Sequence, residues 1–95
     1  MSDPGFLVLA SLAEGDKHGY AIMTDVEVFA GVKLGPGTLY GAITRLEGLG
    51  WICPVASDDR RRPYRLTGAG RVFLEEQLAS LGRVMKTASA RLKHA

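Results

Sequence analysis

The sequence predicts a mainly α-helical domain with one small β-hairpin, and three observations support this. Apolar residues recur at intervals of three and four through most of residues 1–50, the spacing of amphipathic helices. Two short segments with β-prone residues follow, separated by a polar turn at residues 57–59. The last third of the chain repeats apolar residues in steps of four and three, which is typical of one long helix.

Length and composition indicate one compact domain. The chain has 95 residues, of which 46% are apolar and 23% charged, so it has enough apolar side chains for one modest core. The single Cys53 excludes an internal disulfide, and no spacing of cysteine or histidine suits a metal. The apolar run at residues 6–12 is too short to span a bilayer and lacks a cationic leader. We expect a cytoplasmic protein without a membrane segment.

The charges are unevenly distributed along the chain. Residues 1–59 contain three Lys/Arg and eight Asp/Glu, whereas residues 60–95 contain nine Lys/Arg and two Asp/Glu. A local cationic surface attracts polyanions even when the net charge is only +2. The pattern therefore favours an anionic partner, although a solvated basic surface without a partner has the same pattern.

Two helices are predicted before residue 31. Asp3 suits an N-cap and Pro4 the first turn of a helix that runs to about Glu14. After a turn at residues 15–17, a second helix begins near His18, whose side chain we expect to cap or pack it. Gly31 suits the end of this second helix.

A third helix is bracketed by Pro36 at its start and Gly50 at its end. One face is apolar and consists of Leu39, Ala42, Ile43, Leu46 and Leu49. The other face is slim and polar and consists of Gly37, Thr38, Gly41, Thr44, Arg45 and Gly48. Two helices joined by a short glycine-containing turn match the helix-turn-helix pattern, which many other helical hairpins share.

The following segment predicts a β-hairpin. Residues 51–56 and 60–66 are candidate strands, and Pro54 and Pro63 predict that both lie at a sheet edge. A helix-turn-helix followed by a hairpin is the winged helix-turn-helix arrangement. Three arginines fall at the tip of the wing, where they are placed to meet phosphates or enter a minor groove: Arg60, Arg61 and Arg62. A solvated charge run is the alternative interpretation.

The final helix is predicted from Gly68 to near the C-terminus, with Thr67 as its N-cap. Its apolar residues have the spacing of a coiled-coil seam: Leu74, Leu78, Leu81, Met85, Ala88 and Leu92. A helix of about 25 residues is roughly 38 Å long, which exceeds what a small core can cover. We therefore expect residues 1–67 to form a winged helix-turn-helix unit and residues 68–95 a dimerisation helix in the same compact unit. The alternative is that this helix folds back on its own domain.

Three sequence blocks resemble the PadR family of bacterial transcriptional regulators, and the resemblance covers roughly residues 7–75. The blocks are His18-Gly19-Tyr20; Gly35-Pro36-Gly37-Thr38-Leu39-Tyr40 with Arg45-Leu46-Glu47 and Gly50-Trp51-Ile52; and residues 60–67 (RRRPYRLT) with Gly70-Arg71. The resemblance implies a winged helix-turn-helix, a homodimer formed through the first and last helices, and repression at a palindromic operator. Short members of the family have one C-terminal helix, as is predicted here.

The resemblance also implies which residues contact DNA: Tyr20, Thr38, Tyr40, nearby residues of the third helix such as Gly37 and Gly41, and the wing arginines. Thr38, Thr44 and Arg45 are the candidate readers of base edges, because their side chains suit major-groove contacts. Arg45 could instead form an ion pair with Glu47 or an aspartate. Many relatives have proline at position 41 and serine at position 35, so the two glycines here leave the operator sequence open.

The expected subunit interface involves Phe6 and Leu9 of the first helix together with the six seam residues of the last. We expect double-stranded DNA as the partner, no cofactor or metal and no catalysis, since His18 and His94 have no supporting carboxylate or cysteine. Cys53 suits a small apolar filler more than a redox sensor. The resemblance leaves a small-molecule effector open as a further partner, although no residue pattern indicates one. The alternative function is a winged-helix module that binds a protein.

Overall fold

The computed structural model describes residues 3–58 and 60–94 and has four helices and three strands in that range. Asp59, placed by the sequence in the hairpin turn, lies outside the described residues. In chain order the elements are α1 (Pro4–Leu12), β1 (Lys17–His18), α2 (Gly19–Ala30), α3 (Pro36–Gly48), β2 (Ile52–Pro54), β3 (Pro63–Leu66) and α4 (Gly68–Lys93). The predicted winged helix-turn-helix with a long C-terminal helix is confirmed.

The helices begin at the residues that sequence chemistry indicates, while α1 and α3 each end two residues before the predicted Glu14 and Gly50. Asp3, His18 and Thr67 each accept a hydrogen bond from a backbone N–H in the first turn of the helix they cap. The cap on α2 is a ring nitrogen, because the Ala21 N–H donates to His18 Nδ1 over 3.3 Å. Gly31 ends α2 with φ +67°, in the left-handed region that glycine adopts without steric cost.

The sheet differs from the predicted hairpin in two ways. β1 falls where the sequence predicts a turn, and it pairs antiparallel with β3 to give the strand order β1-β3-β2. The prediction that both hairpin strands lie at an edge is therefore wrong for β3, which is central. Its Pro63 is tolerated because it is the first residue of the strand, where the missing N–H costs the ladder little. The wing arginines lie in the β2–β3 loop, whereas the predicted second strand, residues 60–66, included them; the observed strand begins only at Pro63.

The core is arranged around α1, which contacts α2, α3, α4 and β3. It is formed by Leu7, Val8, Leu9, Leu12, Ile22, Val26, Leu34, Leu39, Ala42, Ile43, Leu46, Ile52, Tyr64 and Leu74. The buried Ser11 hydroxyl donates to Asp25 Oδ2 over 2.7 Å, and the Lys17 ammonium donates to the Ser11 carbonyl and pairs with Glu14. The polar groups at this α1–α2 contact are thus satisfied, as buried groups must be.

The first turns of α4 are fixed against the base of the wing. Gly70 lies directly against the carbonyl of Trp51, and a Cβ there would also come within 2.9 Å of Leu66 Cδ1. The Trp51 and Phe73 rings are stacked, with centroids 3.8 Å apart. Beyond Leu74 the helix has no buried residue among those described, and it extends the molecule to 56 Å. Only the first third of α4 therefore belongs to the core of this chain.

The wing is linked to the start of the α1–α2 connection by a bidentate ion pair. Arg65 Nε and Nη2 donate to the Asp16 carboxylate over 3.1 and 2.8 Å, next to the pairing of Lys17 with Tyr64 between β1 and β3. The Arg65 hydrogen bonds hold the pKa of the Asp16 carboxyl below its ordinary value of 3.8. This pair orients β3. It also engages Arg65, which lies in a strand of the wing and not in the loop with Arg60, Arg61 and Arg62.

We expect Gly70→Ala to destabilise the protein by about 1–3 kcal/mol, the usual range for overpacking a well-packed site. The added methyl would overlap the Trp51 carbonyl, which is backbone and cannot rotate away. Urea unfolding followed by Trp51 fluorescence measures the effect. Gly68→Ala is the matched control, because its Cβ would enter open space in the same helix turn. Equal stability of the two variants would contradict the described α4–wing contact.

We expect the Asp16–Arg65 pair to make the protection of the wing's backbone amides from hydrogen exchange depend on pH. A carboxyl with a lowered folded-state pKa contributes stability above its unfolded pKa and loses it as the pH falls through the folded value. Amide exchange at Tyr64 and Arg65, corrected for intrinsic rates, should therefore quicken below about pH 4. Asp16→Asn should show the quicker exchange at all pH values, and Glu76→Gln, an exposed control, should behave as wild type.

Candidate nucleic-acid interface

The exposed face of α3 is bounded by longer side chains and has small residues at its centre. Leu39, Ala42, Ile43 and Leu46 anchor the opposite face in the core, whereas Leu49, predicted on the same face, follows the helix as its C-cap and is 52% exposed. Gly37, Gly41, Thr44 and Gly48 are exposed, with Tyr40 at one margin and Thr38 and Arg45 at the other. Because no bulky side chain projects from the centre, the helix backbone can approach a partner closely. The predicted polar face of the third helix is thus exposed as a whole.

Hydrogen bonding within α3 defines what Thr44 can offer. Its hydroxyl donates to the Tyr40 carbonyl over 2.9 Å, one turn earlier in the helix. The donor is therefore in use within the helix, while the side chain is exposed and its oxygen can still accept a hydrogen bond. A threonine in this state accepts from an exocyclic amine and contacts a thymine methyl, which are both major-groove features.

The structure brings the start of α2, α3 and the wing together around one cleft of about 350 Å³. It is lined by His18, Gly19, Tyr20, Tyr40, Arg60, Arg61, Arg62 and Tyr64. All the aromatic and wing residues that the sequence predicts to contact DNA lie here. His18, Gly19 and Tyr64 were not predicted to contact DNA, although they lie in the sequence blocks that resemble the PadR family. The cleft combines guanidinium groups with phenolic hydroxyls, which are donors suited to phosphate oxygens.

Gly19 determines where the Tyr40 ring lies. A Cβ on Gly19 would collide with the Tyr40 ring and hydroxyl, so the tyrosine occupies the space that only glycine leaves at the first residue of α2. Tyr20 follows directly and is 68% exposed. Two tyrosines, one from each helix of the helix-turn-helix, are therefore presented side by side at the cleft.

Tyr64 forms the floor of the cleft and stays neutral. Burial raises the pKa of its phenol above the ordinary value of 10, and the negative charge of Glu47 adds to this effect. A neutral phenol retains its hydrogen as a donor throughout the physiological pH range. Tyr64 thus contributes to the core and to the cleft at once.

Arg45 is directed away from the centre of the exposed face. Its Nη2 lies 3.7 Å from Asp3 Oδ1 at the start of α1, and it lies over Gly5. Of the two alternatives for this arginine, the structure contains the ion pair, with Asp3 as the partner. The side chain is still 55% exposed, so this pair is not shielded from water.

The residues expected at a subunit interface divide into two groups. Leu9 is fully buried at 0% exposure and Leu74 is buried in the same core, so neither has the surface to contact a second chain. The expectation for Leu9 and Leu74 is corrected accordingly: they stabilise the chain's own fold. Leu78, Met85, Ala88 and Leu92 are exposed along one side of α4, and Phe6 and Leu81 are half-buried beside them.

Residues 3–58 and 60–94 contain neither a metal-binding cluster nor a membrane span. No three His, Cys, Asp or Glu side chains in that range come together as metal ligands. No helix there combines the length and the apolar character that a membrane span requires.

Known proteins resemble this chain in sequence. Transcriptional regulator Rv3488 of Mycobacterium tuberculosis is 36% identical over 77 residues, covering 78% of this chain and 71% of that protein. An uncharacterized 37.1 kDa protein in transposon TN4556 of Streptomyces fradiae is 46% identical over 83 residues. That match covers 87% of this chain but 24% of the transposon protein, so the chain spans about a quarter of this relative's length.

Solved structures resemble it in fold. A PadR family transcription regulator from Clostridium difficile R20291 is 28% identical with a TM-score of 0.85, over 94% of this chain and 97% of that one. A PadR-like transcriptional regulator from Bacillus cereus shares the fold at 22% identity, with a TM-score of 0.82 over 93% of this chain and 89% of that one.

The sequence pattern of the transcriptional regulator PadR-like family matches residues 8–76, which extend from α1 through the wing into the first turns of α4. This range contains the exposed face of α3 and every residue that lines the cleft. The chain therefore belongs to the PadR-like family of transcriptional regulators.

Proposed function

We propose that the protein is a sequence-specific DNA-binding regulator that acts as a homodimer on a palindromic operator, as a repressor. The observation that carries the proposal is the cleft, in which Tyr20, Tyr40 and the wing arginines meet beside the slim exposed face of α3. These groups supply phosphate contacts next to a helix that can enter a major groove.

Charge and shape support DNA over a protein partner. The wing arginines are exposed and lie on the same side as the start of α2 and the Tyr40 margin of α3. Phosphate contacts from the wing would fix the orientation of the protein on the duplex, while Thr38 and Thr44 contact base edges. A protein partner would not require the wing arginines, the two tyrosines and the slim exposed face of α3 to lie on the same side of the molecule.

The dimer is supported by the unpaired apolar side of α4. Leu78, Met85 and Leu92 are 53%, 62% and 77% exposed, and they lie in line along a helix that projects beyond the core. The α4 helix of a second subunit would bury these side chains by packing along the same seam, either parallel or antiparallel. Two-fold symmetry would then place the two α3 helices about 34 Å apart, one turn of DNA.

Repression follows from geometry alone if the operator overlaps a promoter. A dimer with both α3 helices in successive major grooves occupies one face of the duplex and excludes other proteins from it. The proposal includes no catalytic step. The guanidinium and phenol groups of the cleft are hydrogen-bond donors suited to binding, and His18 Nδ1 accepts from the Ala21 N–H as a helix cap.

We expect DNA affinity to fall steeply with salt, since counterions are released when cationic side chains neutralise phosphates. Replacing Arg60, Arg61 and Arg62 by alanine should lower the slope of log K against log salt by about 0.9 for each phosphate that is no longer neutralised. Fluorescence anisotropy with labelled duplexes at several salt concentrations measures both quantities. A matched control removes three cations of α4, Arg71, Arg83 and Lys93. An equal change in slope for both triple variants, or no salt dependence at all, would contradict the proposed interface and favour a protein partner.

We expect Met85→Glu to weaken dimerisation by at least about 100-fold, because an unpaired carboxylate in an apolar seam costs several kcal/mol. Sedimentation equilibrium measures the dissociation constant. Val72→Glu is the matched control, since Val72 is also exposed on α4 but lies on the opposite side from the seam. A monomeric wild type, or equal effects of the two substitutions, would exclude the seam as the subunit interface.

A further inference from the structure

We propose that Arg45 is a positioning residue, which fixes the orientation of α3 relative to the subunit interface through Asp3, and that it does not read a base. The inference rests on the proposed function, because it assigns the role of one side chain within a dimeric DNA-binding protein. It concerns the contact between the C-terminal half of α3 and the first turn of α1.

The geometry around the guanidinium supports this role. Arg45 Nη2 lies 3.7 Å from Asp3 Oδ1, and it would be only 2.7 Å from a Cβ on Gly5. The guanidinium thus occupies the space beside Gly5 in the first turn of α1, which a residue with a side chain would fill. Gly5 is buried although Asp3, two residues earlier, is exposed; the Arg45 guanidinium and Leu46 Cδ2 are the side-chain atoms that lie over it.

Electrostatics make Asp3 necessary for this placement. The N-terminus of a helix has a partial positive charge, which would repel a guanidinium lying over its first turn. Asp3 is the N-cap of α1, and its carboxylate accepts from the Gly5 N–H over 3.3 Å. The same carboxylate therefore balances the helix terminus and attracts Arg45. Without that charge, nothing in the first turn holds the guanidinium there.

The contact connects α3 to the surface where we place the second subunit. Asp3 and Phe6 share a cleft of about 200 Å³ with Phe73, Gln77 and Leu81 of α4. Leu81 belongs to the predicted seam, so Asp3 lies between the α3 helix and the dimer contact. Apolar packing of α3 against the core is not directional. The Arg45–Asp3 contact adds a directional link, which sets how the two α3 helices of a dimer face the duplex.

Three substitutions separate positioning from base reading. Asp3→Asn keeps a good N-cap and removes the charge. Gly5→Ala places a methyl group where Arg45 Nη2 lies and leaves the arginine itself available to DNA. Arg45→Gln removes the cation. Glu75→Gln is the control for the change in net charge, because Glu75 is exposed on α4 away from this contact.

The full chain and its variants are used to select duplexes from a random-sequence library. All three variants should keep the wild-type base preference within each half-site. Their discrimination between the selected half-site spacing and one longer by a base pair should fall about two- to five-fold, the range for losing a partly exposed ion pair. The control should match wild type in both respects.

A cycle of Asp3→Asn, Arg45→Gln and the double variant in urea unfolding tests the contact without DNA. The midpoint shifts of the single variants should sum to more than that of the double variant. Additive midpoint shifts in this cycle would overturn the inference. In the selection experiment, it would be overturned if Arg45→Gln lost the preference for one base while Asp3→Asn and Gly5→Ala selected the same sequences as wild type. If wild type enriches no paired half-sites, the proposed function fails and the positioning role fails with it; paired half-sites with an additive cycle overturn only the positioning role.

Discussion

The burial of α1 is the constraint on which the other elements depend. Six of its nine residues are buried, and α2, α3, α4 and β3 all pack against it. A domain of this size has one small core, so each neighbour must use α1 to bury its own apolar face. The exposed face of α3 is a consequence: with Leu39, Ile43 and Leu46 turned towards the core, its glycines and threonines are left outside.

Polar contacts then orient the elements that the apolar core holds together. The Asp16–Arg65 pair links the wing to the α1–α2 connection, and the Ser11–Asp25 hydrogen bond links α1 to α2. The Arg45–Asp3 pair links α3 to α1. A single exposed ion pair such as Arg45–Asp3 contributes at most about 1 kcal/mol to stability, so its main effect is on the orientation of the two helices. In the proposed dimer this orientation matters, because the two α3 helices would have to match the fixed repeat of a duplex.

The charges of the chain are separated in space as well as in sequence. The wing places its arginines next to Tyr20 and Tyr40, whereas Glu14 and Asp25 engage Lys17 at the α1–α2 contact. Glu14 and Asp25 are thus engaged away from the wing, while Asp58 lies in the wing loop itself. Three guanidinium groups line the cleft although the net charge is only +2, and a local cationic cluster of this kind attracts polyanions.

Local signals in the sequence determined the four helices, because caps, first-turn prolines and terminal glycines act within a few residues: Asp3, Thr67, Pro36 and Gly31 needed no distant partner. They also determined which residues of α3 are exposed, since helical period fixes the faces. Only the tertiary structure decided what depends on residues far apart in the chain. The pairing of Lys17 with Tyr64 made β3 central, the closed core around α1 took Leu9 away from any interface, and the approach of α1 to α3 gave Arg45 an aspartate 42 positions earlier as its partner. Contacts between residues far apart in the chain produce neither a periodic pattern nor a local motif in the sequence, so they are decided only when the elements pack.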